Sequence, residues 1–178
     1  MITNATHTQV GLIEPSEKFE TEFLNMLDEY RQAGEDSDNN NFADQDFVAY
    51  IDKLHNQSKG SDLPSGLVPV TTFWLVKDNQ IILGESRLRH DLTPALEEFG
   101  GHIGYNIRPS QRRKGYGTLI LALSLEKARM LGIRRVRVTC DTENIGSVRI
   151  IENNGGILSG YGISPRSGKQ TSQYWIAL

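Results

Sequence analysis

The stretch from Ile103 to Gly117 constrains the fold more than any other part of the chain. Ile103-Gly104-Tyr105-Asn106-Ile107 reads as a strand, Arg108 to Lys114 as a basic loop, and Gly115-Tyr116-Gly117 as the opening of an apolar helix. A helix start presents bare backbone N–H groups with the helix dipole behind them, which makes an anion site. Gly115 and Gly117 remove side chains where a phosphate must approach closely. Arg112, Arg113 and Lys114 add positive charge beside it. The implied ligand is a pyrophosphate held where a strand hands over to a helix. The spacing is not a P-loop, because no Gly-Lys-Ser/Thr follows at the required distance. Nor is it a dinucleotide fingerprint, which needs three glycines and a later acidic residue. The competing structural reading is an ordinary strand–helix turn with a solvated basic loop.

A chain of 178 residues, 38% hydrophobic and 23% charged, is long enough for one proper core and has single-domain length, so one domain is expected over 1–178. The net charge of −3 argues against a dedicated nucleic-acid binder, which is normally basic. Local basic residues are then better explained by a phosphorylated cofactor. The lone Cys140 excludes an internal disulfide and any cysteine-based metal cluster, and it fits a reducing compartment. No metal site is expected. The polar start, Met1 to Gln9, lacks the basic end and apolar run of a signal peptide, and no apolar stretch is long enough to span a membrane. A cytoplasmic protein with no membrane partner is the expectation.

Along the chain, Val10 to Ile13 suggests a first strand, and Phe19, Phe23, Met26, Leu27 and Tyr30 recur at helical spacing. The polar run from Gly34 to Asn41 reads as an exposed loop, and Phe47, Val48, Ile51 and Leu54 as a second helix ending near Gly60. Val68–Val76 and Ile81–Leu88 read as a hairpin turning at Asp78-Asn79. Gly101–Ile107 is the next strand. Thr118–Leu131 is a strong helix ended by Gly132. Arg135–Cys140 is a strand, Ser147–Asn154 a helix, and Ile157–Tyr161 and Tyr174–Leu178 close the series as strands.

Arg112-Arg113-Lys114-Gly115-Tyr116-Gly117 fits the R-x-x-G-x-G/A signature, and the sequence here resembles the GNAT superfamily of acetyl-CoA-dependent N-acetyltransferases. A second block, Asn144 to Gly156, looks like that family's Asn-x-x-Ala helix that ends in glycine. The resemblance is specific from about Ile103 to Gly156. It implies an α/β fold, with a mixed central sheet of about six to seven strands flanked by helices. Two parallel central strands, here Gly101–Ile107 and Arg135–Cys140, would splay apart and admit the pantetheine arm. The resemblance assigns the donor to the backbone of Tyr105, Asn106 and Ile107. It adds Arg112, Arg113, Lys114, Gly115, Tyr116, Gly117 and Thr118 in the loop and helix start, and Asn144 and Ser147 beyond. Arg108 reads either as a phosphate partner or as a solvated strand end. Asn144 is at the same time a candidate helix N-cap. Members of the family often dimerise, so a homodimer is open.

The resemblance implies direct transfer of an acetyl group from acetyl-CoA to a primary amine of a small molecule or peptide. The ammonium must lose a proton, the oxyanion must be held, and the leaving thiolate must be stabilised. His102, on the cofactor strand, leads as proton acceptor because imidazole titrates near neutral pH. Glu98 lies just upstream; Glu97 and His90 are weaker options, and each reads equally as a surface or hydrogen-bonding residue. Strand alternation puts His102 and Gly104 on one face and Ile103 and Tyr105 on the other, and the sequence does not say which looks into the acceptor cleft. Many members carry a tyrosine seven residues after the motif asparagine as the acid; here that position is Ile151. Tyr161 and Tyr105 are the substitutes, or solvent, a thiolate being a tolerable leaving group with a pKa of roughly 8.5. Cys140 reads as a buried small hydrophobe. The acidic residues Glu35–Asp38 and the Glu97-Glu98 pair are candidate attractors of a cationic amine, though acidic runs are more often solvated surface, and Phe73 and Trp74 are candidate walls of the cleft, with core packing the expected place for at least one of them. The alternative reading is a non-catalytic acetyl-CoA-binding module, which the missing tyrosine makes credible.

Overall fold

The computed structural model describes residues 9–35, 43–61, 63–165 and 167–178. Four strands, β1 (Val10–Ile13), β2 (Val70–Lys77), β3 (Ile81–Arg89) and β4 (Ile103–Ile107), form an antiparallel sheet in the order β1-β2-β3-β4. Three more, β5 (Arg135–Asp141), β6 (Ile157–Ile163) and β7 (Gln170–Ala177), form a second antiparallel sheet in the order β5-β7-β6. Helices α1 (Glu20–Gln32), α2 (Phe47–Lys59), α3 (Pro94–Phe99), α4 (Tyr116–Met130) and α5 (Ile145–Asn153) flank them. The expected seven strands are present, divided between two ladders. The hairpin turns where expected, with Asp78 and Asn79 both at positive φ (52° and 55°), the geometry that matches the twist of a two-residue hairpin.

Three differences from the sequence reading bear on the site. The strand expected from Gly101 begins at Ile103, because Gly101 sits at φ +66° and closes the turn out of α3. Helix α3 itself was signalled only by Thr93-Pro94, where the Thr93 hydroxyl accepts from the Leu96 N–H and Pro94 takes a first-turn position. Strand β7 starts at Gln170, four residues earlier than expected, and its polar Thr171, Ser172 and Gln173 are buried by pairing on both sides. Past Glu35 the polar loop lies outside the described residues, as do Asp36, Ser37 and Asp38. Among the described residues no helix is long and apolar enough to cross a membrane.

Alternation along β2 divides the core. Trp74, fully buried, stacks on Phe23 of α1 at 4.8 Å between ring centroids, with Phe47 and Tyr50 of α2 completing an aromatic cluster. Phe73 points the other way, into the layer of Ile103, Leu121, Leu125, Val136, Val138, Ile151 and Tyr174 under α4 and α5. Both aromatics expected as cleft walls are therefore core residues, on opposite faces. Ile151 is wholly buried in the second layer.

Candidate active site

Helix α4 begins at Gly115, whose φ of +84° lets the chain turn sharply out of the basic loop; Arg113 is also left-handed at φ 62°. In front of the first turn lies an open cavity of about 310 Å³ lined by Arg113, Gly115, Gly117, Thr118, Gly146 and Arg149. Arg113 faces this cavity, whereas the other two basic side chains are turned into the loop. Arg112 donates from Nε to the Ile107 carbonyl (2.9 Å) and forks onto both oxygens of Glu35 (2.7 and 2.6 Å). This pair holds Glu35 below the usual carboxylate range and raises the Arg112 pKa. Lys114 Nζ donates to the Ser110 carbonyl (2.8 Å) and to Gln111 Oε1 (3.1 Å). Their charge shapes the loop. The second cation at the cavity is Arg149 of α5, which follows Ile145 and Gly146 on the same helix face and which the motif reading missed.

The two glycines have different reasons. Gly115 is required by its φ, with open space around it, but a side chain at Gly117 would overlap Ile150 of α5. Gly117 therefore answers to helix packing as well as to access. Tyr116 packs into the small core around Leu75, Leu83 and Ile120. Arg108 is drawn away from the loop into a buried cluster, bonded to Glu22 and, at 2.7 Å, to Glu29 of α1. Its role is to fasten α1 to the end of β4. Asn144 is the N-cap of α5, accepting from the Ser147 N–H at 3.0 Å.

Between β4 and β5 no ladder forms; they meet at one junction. The His102 N–H donates to the Arg137 carbonyl (2.7 Å), while the His102 carbonyl accepts from Arg89 of β3 (2.8 Å). Gly101 lets the backbones close there, since a Cβ would lie 2.5 Å from the Arg137 oxygen. Beyond the junction the strands part. Ladder bonds link residues 102 to 89 and 108 to 83, so antiparallel alternation aims residues 104 and 106 at β3 and residues 103, 105 and 107 at the gap. The N–H and C=O of Tyr105 and the N–H of Ile107 thus face an unpaired edge; the Ile107 carbonyl is taken by Arg112. The Tyr105 hydroxyl is buried without a hydrogen bond, facing Ser147, and burial pushes its pKa up to about 12.

The Asn106 side chain accepts from the Tyr30 hydroxyl of α1 (3.0 Å), so the face shared by His102, Gly104 and Asn106 looks toward α1 and α2. On that face His102 is buried, and its Nδ1 accepts the Arg137 N–H at 2.9 Å. The neutral ring then carries its proton on Nε2 and has no lone pair left to receive another. On this geometry His102, expected as proton acceptor, bridges two strands with one N–H to donate, and burial lowers its pKa. Glu98 is exposed on α3, its backbone carbonyl held by Gln173 Nε2 (2.8 Å). The neighbouring Glu97 is the carboxylate whose charge reaches both His102 and Arg137. Tyr161 is exposed on β6, with no placement in the gap. Cys140 is half-buried, its thiol pushed up to about 11 by burial, as expected of an inert packing residue.

Comparison with known proteins agrees with this geometry. Among curated proteins nothing matches the sequence. Solved structures share the fold at low identity. RimJ of Mycobacterium smegmatis, solved with CoA-disulfide, superposes with a TM-score of 0.70 at 13% identity over 94% of this chain and 81% of its own. The microcin C7 self-immunity acetyltransferase MccE, solved with acetyl-CoA and AMP, gives 0.65 at 16% over 96% and 93%. A GNAT-family acetyltransferase from Streptococcus pneumoniae gives 0.65 at 17% over 96% and 100%. The sequence itself matches the acetyltransferase (GNAT) domain over residues 25–157. With a split sheet, a glycine-led helix after β4 and most of its length inside that match, the chain belongs to the GNAT family of acetyl-CoA-dependent acetyltransferases.

Proposed function

We propose that the chain is an N-acetyltransferase that moves the acetyl group of acetyl-CoA directly onto a primary amine of a small molecule or peptide. The observation that carries this reading is the unpaired edge of β4, with the backbone of Tyr105 and Ile107 turned to the gap and a cation-lined cavity at the start of α4. Acetyl-CoA supplies an activated acetyl carbon, and the amine nitrogen bonds to it as the carbon–sulfur bond breaks. An extended pantetheine arm completes the open edge as an added strand would. The Tyr105 N–H is the donor aimed where the thioester oxygen gains charge.

The amine's proton leaves to the carboxylates of α3, Glu97 and Glu98, directly or through water. Thr139, Arg137 and Gln173 hold the carbonyls of Phe99, Glu97 and Glu98, which fixes α3 beside the β4–β5 junction. At the position of the family's usual tyrosine stands buried Ile151, which has no proton to give. The Tyr105 phenol does not replace it as an acid: with a pKa near 12 it holds its proton more tightly than a thiol of roughly 8.5. It supports the leaving thiolate by a hydrogen bond, and solvent completes the protonation. A homodimer, expected from the resemblance, draws support from edge strand β6, where Ile157, Leu158, Tyr161 and Ile163 are exposed.

The test is calorimetric titration with acetyl-CoA, for the wild type and for Gly115→Val, followed by thiol-release assays with a panel of amines. Binding that the variant loses, with turnover of at least one amine, is the expected result. A folded wild type that binds no acetyl-CoA sinks the reading.

A further inference from the structure

Between the end of α2, the start of β2, the end of β3 and α3 lies a cavity of about 200 Å³, lined by Gln57, Leu63, Val70, Arg87, Arg89 and Leu96. Two guanidiniums, two residues apart on one face of β3, point their charge into it. Among the described residues Arg87 makes no hydrogen bond and no ion pair, and its Nε is sealed from solvent without a partner. The Thr72 hydroxyl, directly across the ladder from Arg87, is also buried without a partner, as is Oε1 of Gln57. Arg89 spends one nitrogen on the Gly101 carbonyl at 3.0 Å and otherwise feels mainly burial and the repulsion of Arg87, which lower its pKa. The nearest same-face carboxyl, Glu85, is fully buried and accepts from the Trp74 indole rather than from Arg87; burial raises its pKa, and the Arg87 charge offsets that only in part. Two partly desolvated cations side by side with no ion-pair partner among the described residues are costly, and natural proteins leave such groups unpaired where a ligand completes them.

The cavity also lies at a useful distance from the acetyl donor. Arg87 is the cross-strand partner of Gly104, one strand in from the gap, and strands are spaced about 4.8 Å apart. Gly104 is exposed and has nothing within reach of a missing Cβ, so no side chain at the position opposite Arg87 separates that arginine from the gap. We propose that Arg87 and Arg89 form the anion subsite of the acceptor cleft, and that the amine acetylated by this protein carries a carboxylate, as an amino acid does. The planar guanidinium fork matches the two oxygens of a carboxylate, and Thr72 offers a hydroxyl beside it. Leu63, Val70 and Leu96 suit an apolar side chain on the same molecule. This assignment rests on the acetyltransferase reading above and names the acceptor class for it.

Thiol release from acetyl-CoA is measured with common apolar L-amino acids, each beside its own amide, and with spermidine and a peptide amine as controls. The wild type is expected to favour the acid over the amide by about ten-fold or more in kcat/KM. Arg87→Gln removes that preference while the calorimetric affinity for acetyl-CoA stays the same, and Arg87→Lys, which keeps charge but loses the fork, falls between. Thermal denaturation supplies a readout independent of turnover: without ligand, Arg87→Gln melts higher than wild type, because a half-buried cation whose Nε has no partner has gone. Equal use of acid and amide by the wild type, a preference that survives Arg87→Gln, or acetylation of the controls alone overturns the anion subsite and leaves the acetyltransferase standing. Absence of acetyl-CoA binding overturns both.

Discussion

Around the loop that leads into α4, several polar side chains are already bonded within the protein, while Arg113 and Arg149 face the cavity. Arg112 closes on Glu35 and Ile107, Lys114 on Ser110 and Gln111, and Asn144 on Ser147. In the cavity between α2 and α3, by contrast, Arg87, Thr72 and Gln57 each keep a buried polar atom without a partner. The first region prepares a surface of backbone N–H groups, and its side chains hold that backbone in place. The second prepares the side chains themselves. A donor shared by a whole family can be met by backbone, which is indifferent to sequence, whereas an acceptor peculiar to one protein must be met by side chains.

The hinge between the two regions is the His102–Arg137 junction, and breaking it has the largest expected effect. Gly101→Ala forces a side chain into a left-handed position and against the Arg137 and Val138 backbone, neither of which can move aside. A loss of about 3–5 kcal/mol in stability is expected, with acetyl-CoA binding lost along with it. Chemical denaturation measures the first and calorimetry the second. A variant of wild-type stability would show that the strands are not locked there.

Next in size is His102. Replacement by Ala leaves the buried Arg137 N–H without its acceptor and costs about 1–3 kcal/mol. Asn, whose Oδ1 can take the same bond, recovers most of that. The pair also separates a bridge from a base. A bridge keeps substantial kcat in His102→Asn, whereas loss of kcat by two or more orders of magnitude in a stable His102→Asn would restore His102 to proton transfer.

The phosphate side is sharpened by comparing two arginines. Arg149→Ala should weaken acetyl-CoA binding about five- to ten-fold, or roughly 1 kcal/mol. Arg112→Ala should act on the loop, through a half-exposed ion pair worth at most about 1 kcal/mol. Calorimetry at two salt concentrations tells them apart, since a residue facing the phosphates imposes its own salt dependence.

That contrast also explains what the sequence disclosed. Strand, glycine turn and helix from Ile103 to Met130 are written in local periodicity and in φ-permissive residues, so the cofactor side could be read directly. That the side chains of Arg112 and Lys114 bond back to their own loop was not legible, because a basic triplet does not say which of its members do so. Arg149 was hidden because its relation to Gly115 exists only after α5 packs on α4 across Gly117 and Ile150. His102 was read as a base for its chemistry, when its Nδ1 was committed by a strand far away in sequence. Arg87 and Arg89 looked like an ordinary alternating strand; only the cavity they share and the unpartnered Nε of Arg87, three-dimensional facts, mark them.

The smallest expected effect is a pH dependence that isolates the junction. Burial lowers the pKa of His102, and that of the less buried His90, below the ordinary 6.5. The unfolded chain therefore binds protons at a pH where the folded chain does not. The stability these groups contribute is present above about pH 6.5 and is lost as pH falls through their folded values. Glu85 works in the opposite sense, since burial raises its pKa above 4.5 and its contribution fades as pH rises. The net slope of the wild type mixes these terms, but the difference between wild type and His102→Asn does not. The margin of the wild type over the variant should shrink, and then reverse, as pH drops from 7 toward 5, by at most about 1.4 kcal/mol per pH unit, with the variant the flatter of the two. Parallel slopes would mean that the imidazole protonates as freely folded as unfolded, so that its Nδ1 is not held by the Arg137 N–H and the two strands are joined by backbone alone.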